Sequence, residues 1–196
     1  SLDPFNPNPR VRKASVDTVL DAIAQAKAAH MPIINLHMPR GNIVTLPDGK
    51  HYIFNEYPDD FHAALTDFRT ACEQAVGIAP VTLCIENTDG WEPYEHAAIE
   101  LLLSSLVFGL TLDIGHDHAT GNRDLPFVLA HQQRLQHMHA HDGRGTTNHQ
   151  ALGTGEIPIA QRLTLAAQCN ATVVLETKTK AALAQSVNYL KCEGWL

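Results

Sequence analysis

The sequence predicts an α/β fold built from repeated β/α units on a parallel sheet, and three observations support this prediction. Short apolar runs, polar turns and amphipathic stretches follow one another several times along the chain. Several of the apolar runs end in an acidic residue or a histidine. The 196 residues contain no internal repeat and no low-complexity tract or linker that would split them, so we expect a single domain over residues 1–196.

Six amphipathic segments are predicted to be helices. The first covers about residues 9–29, with Asn8 as its N-cap and Pro9 at the first helical position. The other five are expected at about residues 58–76, 94–104, 124–133, 158–168 and 180–192.

Five short apolar runs are strand candidates, at residues 33–38, 81–86, 109–114, 135–141 and 172–176. The segment NIVTLPDGKHYIF differs from them, because two alternating runs flank Pro47, Asp48 and Gly49. This pattern is typical of a hairpin, and we expect one inside a long loop between a strand and a helix.

The alternation within the strand candidates predicts which side chains face the interior. Successive side chains of a strand point to opposite faces, so in VTLCIE we expect Leu83 to face the helices and Glu86 to face the interior. In TVVLE the same alternation places Val173 toward the helices. Three strands therefore end with an inward acidic side chain and a fourth with an inward histidine: Glu86, Asp113, Glu176 and His139.

Polar side chains at the ends of apolar parallel strands lie where a (β/α)8 barrel, the TIM barrel, builds its active site. A complete barrel of this type usually needs about 250 residues, and this chain is shorter and opens with a helix. We therefore expect a (β/α)8 TIM barrel that lacks one or two N-terminal β/α units in this chain.

The composition excludes several classes of protein. The hydrophobic fraction is 44% and the charged fraction 18%, which predicts a soluble globular domain with no membrane partner. A net charge of -7 argues against a nucleic-acid partner, because no broad basic surface is available to bind a phosphate backbone. The four cysteines match neither a CxxC redox pair nor a zinc ribbon, which favours a cytoplasmic protein.

Histidine clustering favours a metal-centred site. The chain has 12 histidines, and six of them fall within the 26 residues from His116 to His141. The candidate ligands are the four residues at the strand ends, because three carboxylates and one imidazole suit one divalent ion such as Mn, Zn, Mg or Fe. Three crowded negative charges also need a cation to neutralise them. The alternative is that each acid caps a helix or forms an ion pair.

The motifs IENTDG, LDIGHDH, MHAHDGRG, LGTGEI and VVLETK occur in an order and spacing that resemble the xylose-isomerase-like TIM-barrel superfamily. That superfamily includes sugar-phosphate isomerases and epimerases, related dehydratases and AP-endonucleases (family 2), and the resemblance covers about residues 15–191. It implies that Glu86, Asp113, His139 and Glu176 are metal ligands and that His116 binds substrate.

In the endonuclease branch the resemblance implies further zinc ligands at His116, His37 and His149. The pattern departs there, because the position two before His149 is Thr147 and not an acid, and another histidine ligand would lie before Ser1. A three-zinc centre is therefore not expected.

The epimerase branch implies a specific mechanism. A divalent ion chelated by a substrate carbonyl and a neighbouring hydroxyl stabilises the enediolate that forms when the adjacent C–H proton leaves. The catalytic pair Glu86 and Glu176 would remove and return that proton. The alternative is that both glutamates are ligands only.

The substrate is expected to be a small-molecule sugar or sugar phosphate. Arg144 and Lys178 lie beside the expected site and would bind a phosphate or a developing oxyanion, unless they are solvated charges at its rim. The full set of expected substrate-binding residues is His37, His116, Arg144, His149 and Lys178. Packing or supporting roles are favoured for His118, His137 and His141.

Three other functions stay open on the same scaffold. A dehydratase would abstract the same proton and expel a β-hydroxyl, an AP-endonuclease would cleave a phosphodiester, and a non-catalytic protein would bind a metal or a sugar. A barrel without all of its strands would expose pairing edges, so we also expect a homodimer that covers them.

Overall fold

Strands and helices alternate along the chain in the computed structural model, which describes residues 2–196. The order is helix α1 (Pro9–Ala28), β1 (Ile33–His37), β2 (Ile43–Leu46), β3 (Gly49–Tyr52), α2 (Ile53–Glu56), α3 (Pro58–Val76), β4 (Thr82–Glu86), α4 (Pro93–Leu103), β5 (Phe108–Asp113), α5 (Ile114–Ala119), α6 (Leu125–Ala130), a 3-10 turn (Gln132–Arg134), β6 (Leu135–Ala140), β7 (Asp142–Arg144), β8 (Thr147–Gln150), α7 (Ile159–Gln168), β9 (Thr172–Leu175) and α8 (Lys180–Cys192).

Five strands belong to one sheet, in the order β1-β4-β5-β6-β9. β5, β6 and β9 run parallel, with Asp113 opposite His139 and His139 opposite Val174. This is the parallel sheet of a truncated (β/α)8 barrel, as the sequence predicted. A complete barrel has eight strands, and this sheet has five.

The chain divides into two compact units. The first contains the described part of Ser1–Ile85 together with Glu92–Gly109, and the second contains Glu86–Trp91 and Leu110–Leu196. The expectation that residues 1–196 form a single domain stays a prediction. None of the helices within residues 2–196 is long and apolar enough to cross a membrane.

The first unit has an aromatic core. The rings of Phe54 and Phe61 stack with their centroids 4.3 Å apart, and Phe5 meets Phe61 and Phe68 edge-on at 5.5 and 5.4 Å. Asn8 caps α1 by accepting a hydrogen bond from the Arg10 N–H. The predicted hairpin is confirmed, since β2 and β3 pair antiparallel across a two-residue turn.

The second unit contains two elements that the sequence did not predict. Helix α5 follows Asp113 directly, and β7 pairs with β8 in a short hairpin. Neither has a periodic apolar pattern, because α5 is six residues long and β8 is the polar segment TNHQ. The helix predicted at residues 124–133 is also shorter, and a 3-10 turn follows α6.

The Asp142 side chain organises the loop between β8 and α7. This carboxylate is buried and accepts hydrogen bonds from the N–H groups of Gly143, Gly153, Gly155 and Ile157. A Cβ on Gly155 would overlap the Asp142 carboxylate. The glycines of LGTGEI therefore permit a tight turn around a buried charge.

Strand β9 lies at an edge of the sheet, and its side chains are exposed. Val173 is 39% exposed and Val174 48% exposed. Val173 was expected to face the helices, and its exposure shows that any such cover is only partial.

Candidate metal centre

Four strands of the sheet bring together the four residues predicted as metal ligands, all of which belong to the second unit. Glu86 ends β4, Asp113 ends β5, His139 is the penultimate residue of β6, and Glu176 follows β9. One ligand atom from each residue lies within 4.8 Å of the others. The backbone of Glu176 continues the pairing of β9, since its N–H donates to the Ala140 carbonyl at 3.1 Å.

The Nδ1 atom of His139 is the centre of this group. It lies 2.8 Å from Glu86 Oε1, 2.9 Å from Glu176 Oε2 and 3.8 Å from Asp113 Oδ2. Nδ1 is buried, and none of these contacts has the geometry of a hydrogen bond. The imidazole and the carboxylates thus face a common space, and no hydrogen bond joins His139 Nδ1 to any of the three carboxylates. This arrangement fits a divalent cation, for which nitrogen and carboxylate oxygens are suitable ligands.

The carboxylates of this group raise the pKa of its histidine. Burial lowers the pKa of His139, but the close carboxylates of Asp113, Glu86 and Glu176 outweigh burial and raise it to about 10. Burial likewise opposes the charge on Asp113, yet contacts with His139 and His141 hold the pKa of that carboxyl well below its usual range. Positive charge is therefore favoured at the centre of the group, whether it comes from a proton or from a metal ion.

Asp113 is held by its backbone as well as by its side chain. The Asn87 carboxamide accepts from the Asp113 N–H at 2.8 Å and donates to the Asp113 carbonyl at 3.0 Å. Asp113 Oδ1 accepts the N–H groups of Gly115 and His116 at the start of α5. Sequence reasoning missed Asn87, although its place directly after a predicted ligand at a strand end was a usable signal.

The two glutamates differ in their exposure. The Glu86 side chain is 5% exposed and the Glu176 side chain 43% exposed. Glu176 is therefore open to a solute, whereas Glu86 is enclosed by the protein.

Three histidines form a second group in the same unit. Ring nitrogens of His116, His141 and His149 lie within 4.8 Å of one another, and the His141 and His149 rings stack with centroids 4.2 Å apart. His149 Nδ1 lies 3.2 Å from the Glu176 carbonyl oxygen. The roles predicted for His116 and His149 in substrate binding stay predictions.

The other expected substrate-binding residues belong to both units. His37 is the exposed last residue of β1 and belongs to the first unit. Arg144 and Lys178 are exposed in the second unit, and the structure leaves their role in phosphate binding a prediction.

The two other histidines for which packing or supporting roles were predicted contact polar side chains. His118 Nε2 lies 3.1 Å from Glu156 Oε1, and His137 Nδ1 lies 2.6 Å from Thr172 Oγ1.

A family model described as "Xylose isomerase-like TIM barrel" matches residues 1–191. The chain belongs to this family. The resemblance seen in its motifs is thereby confirmed. A search of the curated proteins finds no match to this xylose isomerase-like sequence.

Solved structures with this barrel fold match nearly the whole chain. A D-tagatose 3-epimerase-like protein has 24% identity and a TM-score of 0.77, with coverage of 97% of this chain and 72% of the other. D-psicose 3-epimerase from Clostridium cellulolyticum H10, solved with D-tagatose, has 14% identity and a TM-score of 0.70, with coverage of 99% and 74%. The IOLI protein, solved with a zinc atom, has 12% identity and a TM-score of 0.68, with coverage of 95% and 73%. At such low identities, the structural similarity shows a shared fold and no more.

Proposed function

We propose that this protein is a divalent-metal-dependent isomerase or epimerase that moves a proton on the carbon next to a carbonyl of a sugar or sugar phosphate. The observation that carries the proposal is the approach of Glu86 and Glu176 to the same buried nitrogen of His139, at 2.8 and 2.9 Å. Similar solved structures named as sugar 3-epimerases support the substrate class.

The metal would be held by Glu86, Asp113, His139 and Glu176. These ligands suit one divalent ion, which can be Mn, Zn, Mg or Fe. When bound, such an ion supplies positive charge that stabilises the oxyanion developing on the substrate as the C–H proton leaves. Zinc in similar structures supports the same assignment.

Glu86 and Glu176 would act as the two proton-transfer groups. They come from different strands and approach His139 Nδ1 separately, so their carboxylates can serve two faces of a planar carbon centre. An epimerase needs this arrangement, because one group must remove the proton and the other must return one on the opposite face. The exposed Glu176 carboxylate is the one that an incoming substrate would meet.

The substrate would be bound by imidazole and cationic side chains. His116 and His149 would hydrogen-bond to sugar hydroxyls, and the exposed Arg144 and Lys178 would bind a phosphate. His37 would be a further substrate-binding residue.

The central test is deuterium exchange. A panel of ketoses and their phosphates is incubated with the protein and Mn2+ in D2O, and deuterium next to the carbonyl is followed by NMR. We expect incorporation with the wild-type protein and a loss of at least about 100-fold in Glu176→Gln, as typical of a missing proton-transfer group. Glu193→Gln at the exposed end of α8 is the matched control and should exchange normally.

The other outcomes of this experiment separate the alternative functions. A product lighter by one water would assign a dehydratase. No exchange with any ketose, although Mn2+ is bound, would contradict the isomerase and favour a non-catalytic binding protein.

We also propose that the protein forms a homodimer through β9, whose valines are exposed at a sheet edge. Sedimentation analysis should show a dimer that Val174→Lys weakens. A monomer in the wild type at tens of micromolar or above would contradict this. The cytoplasmic location and the lack of a nucleic-acid partner stay predictions.

A further inference from the structure

His141 is a completely buried histidine with a partner on each ring nitrogen. Its Nε2 lies 2.9 Å from Asp113 Oδ1 and 3.1 Å from Asp113 Oδ2. Its Nδ1 accepts a hydrogen bond from the His149 backbone N–H at 2.8 Å. The side chain is 0% exposed, so neither nitrogen is available to a substrate.

These two contacts determine the tautomer of His141. A backbone N–H can only donate, so Nδ1 must carry a lone pair and no hydrogen. The ring hydrogen is therefore on Nε2, where it is donated to the Asp113 carboxylate. His141 thus acts on Asp113 as a directed donor, and its direction is set by the backbone of His149.

The donation limits the rotation of the Asp113 carboxylate. Asp113 Oδ1 already accepts the N–H groups of Gly115 and His116 at 2.9 and 2.8 Å. Asp113 Oδ2 accepts the hydrogen bond from His141 Nε2 at 3.1 Å, and the same oxygen faces His139 Nδ1 at 3.8 Å. The orientation of the Asp113 carboxylate toward the candidate centre therefore depends on three donors. Two are backbone N–H groups on Oδ1, and the third is the His141 side chain on Oδ2.

Gly115 provides the space for the His141 ring. A Cβ on this glycine would overlap the ring, as the nearest atoms to it are all in the His141 imidazole. Its φ lies outside the left-handed region, so glycine is required here for the close approach and not for the backbone conformation. This explains the glycine in LDIGHDH.

His149 connects the same ring to a second ligand residue. Its own ring stacks on His141, and its Nδ1 lies 3.2 Å from the carbonyl oxygen of Glu176. The pair His141 and His149 therefore links the side chain of Asp113 to the backbone of Glu176.

We propose that His141 is a positioning residue that fixes Asp113 for metal binding, with its tautomer set by the His149 backbone and its place set by Gly115. The inference rests on the proposed metal centre. Loss of an outer partner of this kind typically weakens metal binding about 10- to 100-fold.

The first test measures the Mn2+ Kd by titration calorimetry. His141→Phe keeps a ring and removes both nitrogens, so we expect a Kd weaker by about 10- to 100-fold. His141→Gln restores a donor and an acceptor and should recover most of the affinity, whereas Gly115→Ala should lose affinity because its methyl displaces the ring. The control is His131→Phe, whose ring packs on Phe127 and whose Kd should equal that of the wild type.

A folded His141→Phe variant with the wild-type Kd would overturn the inference, and so would a His141→Gln variant that binds no better than His141→Phe. A wild-type protein that binds no Mn2+ would instead overturn the metal centre of the proposed function. Bound Mn2+ without deuterium exchange would overturn only the enzymatic proposal.

A second measurement does not need any variant to fold. In 15N NMR spectra of the metal-free wild-type protein, His141 should show a protonated Nε2, an unprotonated Nδ1 and an Nε2 proton protected from solvent exchange. A hydrogen on Nδ1 would overturn the inference.

Discussion

Nδ1 of His139 lies 2.8 Å from Oε1 of Glu86, and the two atoms do not form a hydrogen bond. Once the ring loses its proton to a metal ion, Nδ1 and the carboxylate oxygen both offer lone pairs to the space between them. Asp113 and Glu176 direct oxygens to the same place. Positive charge at this place stabilises the group, and either a proton on His139 or a metal ion can supply it.

Metal binding should stabilise the fold. At a free Mn2+ concentration of about 100 times Kd, the free energy of unfolding should rise by about 2.7 kcal/mol. Glu86→Gln removes a ligand charge and should abolish most of this increase. Urea unfolding with Mn2+ or EDTA measures both values, and an equal increase in Glu86→Gln would contradict the role of Glu86.

The Mn2+ affinity should depend on pH. The carboxylates around His139 raise its pKa to about 10 despite its burial, so between pH 6 and 9 a metal ion must displace one proton from the ring. The apparent affinity should therefore rise about tenfold per pH unit in this range. Calorimetry in buffers of different ionisation enthalpy should detect one released proton, and a pH-independent Kd would be inconsistent with this charge arrangement.

Asn87 should stabilise both the fold and the centre. Asn87→Ala leaves the buried N–H and carbonyl of Asp113 without their present partners, which should cost about 2–4 kcal/mol of unfolding free energy. Asn55→Ala, at an exposed position in α2, should cost much less. Urea unfolding compares the two variants, and equal losses would show that the Asn87 bonds contribute little.

Glu95 in the first unit should make stability depend on pH. This side chain is 1% exposed, and burial raises its pKa to about 6 against the opposing effects of the Glu92 N–H and Arg40. A raised carboxyl pKa stabilises the fold below the unfolded value of about 4.5, and this contribution is lost as the pH rises through 6.

The matching experiment compares Glu95→Gln with the wild-type protein in urea unfolding from pH 4 to 7. Relative to the wild type, the variant should gain about 2 kcal/mol across this range. Glu73→Gln, in the half-exposed pair with Arg69, is the control and should show almost no gain. A constant difference between Glu95→Gln and the wild type would contradict the raised pKa.

The alternation of side chains along β4 and β5 explains why the site could be predicted from the sequence. Glu86 and Asp113 have the same parity as the inward set of their strands, and parallel strands bring their carboxyl ends to one edge of the sheet. His139 follows the same rule. The alternation within single strands was therefore enough to predict that Glu86, Asp113 and His139 lie close together.

The supporting residues could not be predicted in this way. His141 was expected only to pack or support, because its contacts with Asp113 and His149 depend on α5 and on the β7–β8 hairpin. Neither element has a periodic pattern. The exposure of Val173 was also missed, because strand order, and therefore which strand forms an edge, is not encoded in a local window.

Anomalous diffraction from crystals soaked in Mn2+ would locate the metal itself. We expect one strong peak among Glu86 Oε1, Asp113 Oδ2, His139 Nδ1 and Glu176 Oε2. A map with no peak at these four atoms, or with its only peak among His116, His141 and His149, would contradict this expectation.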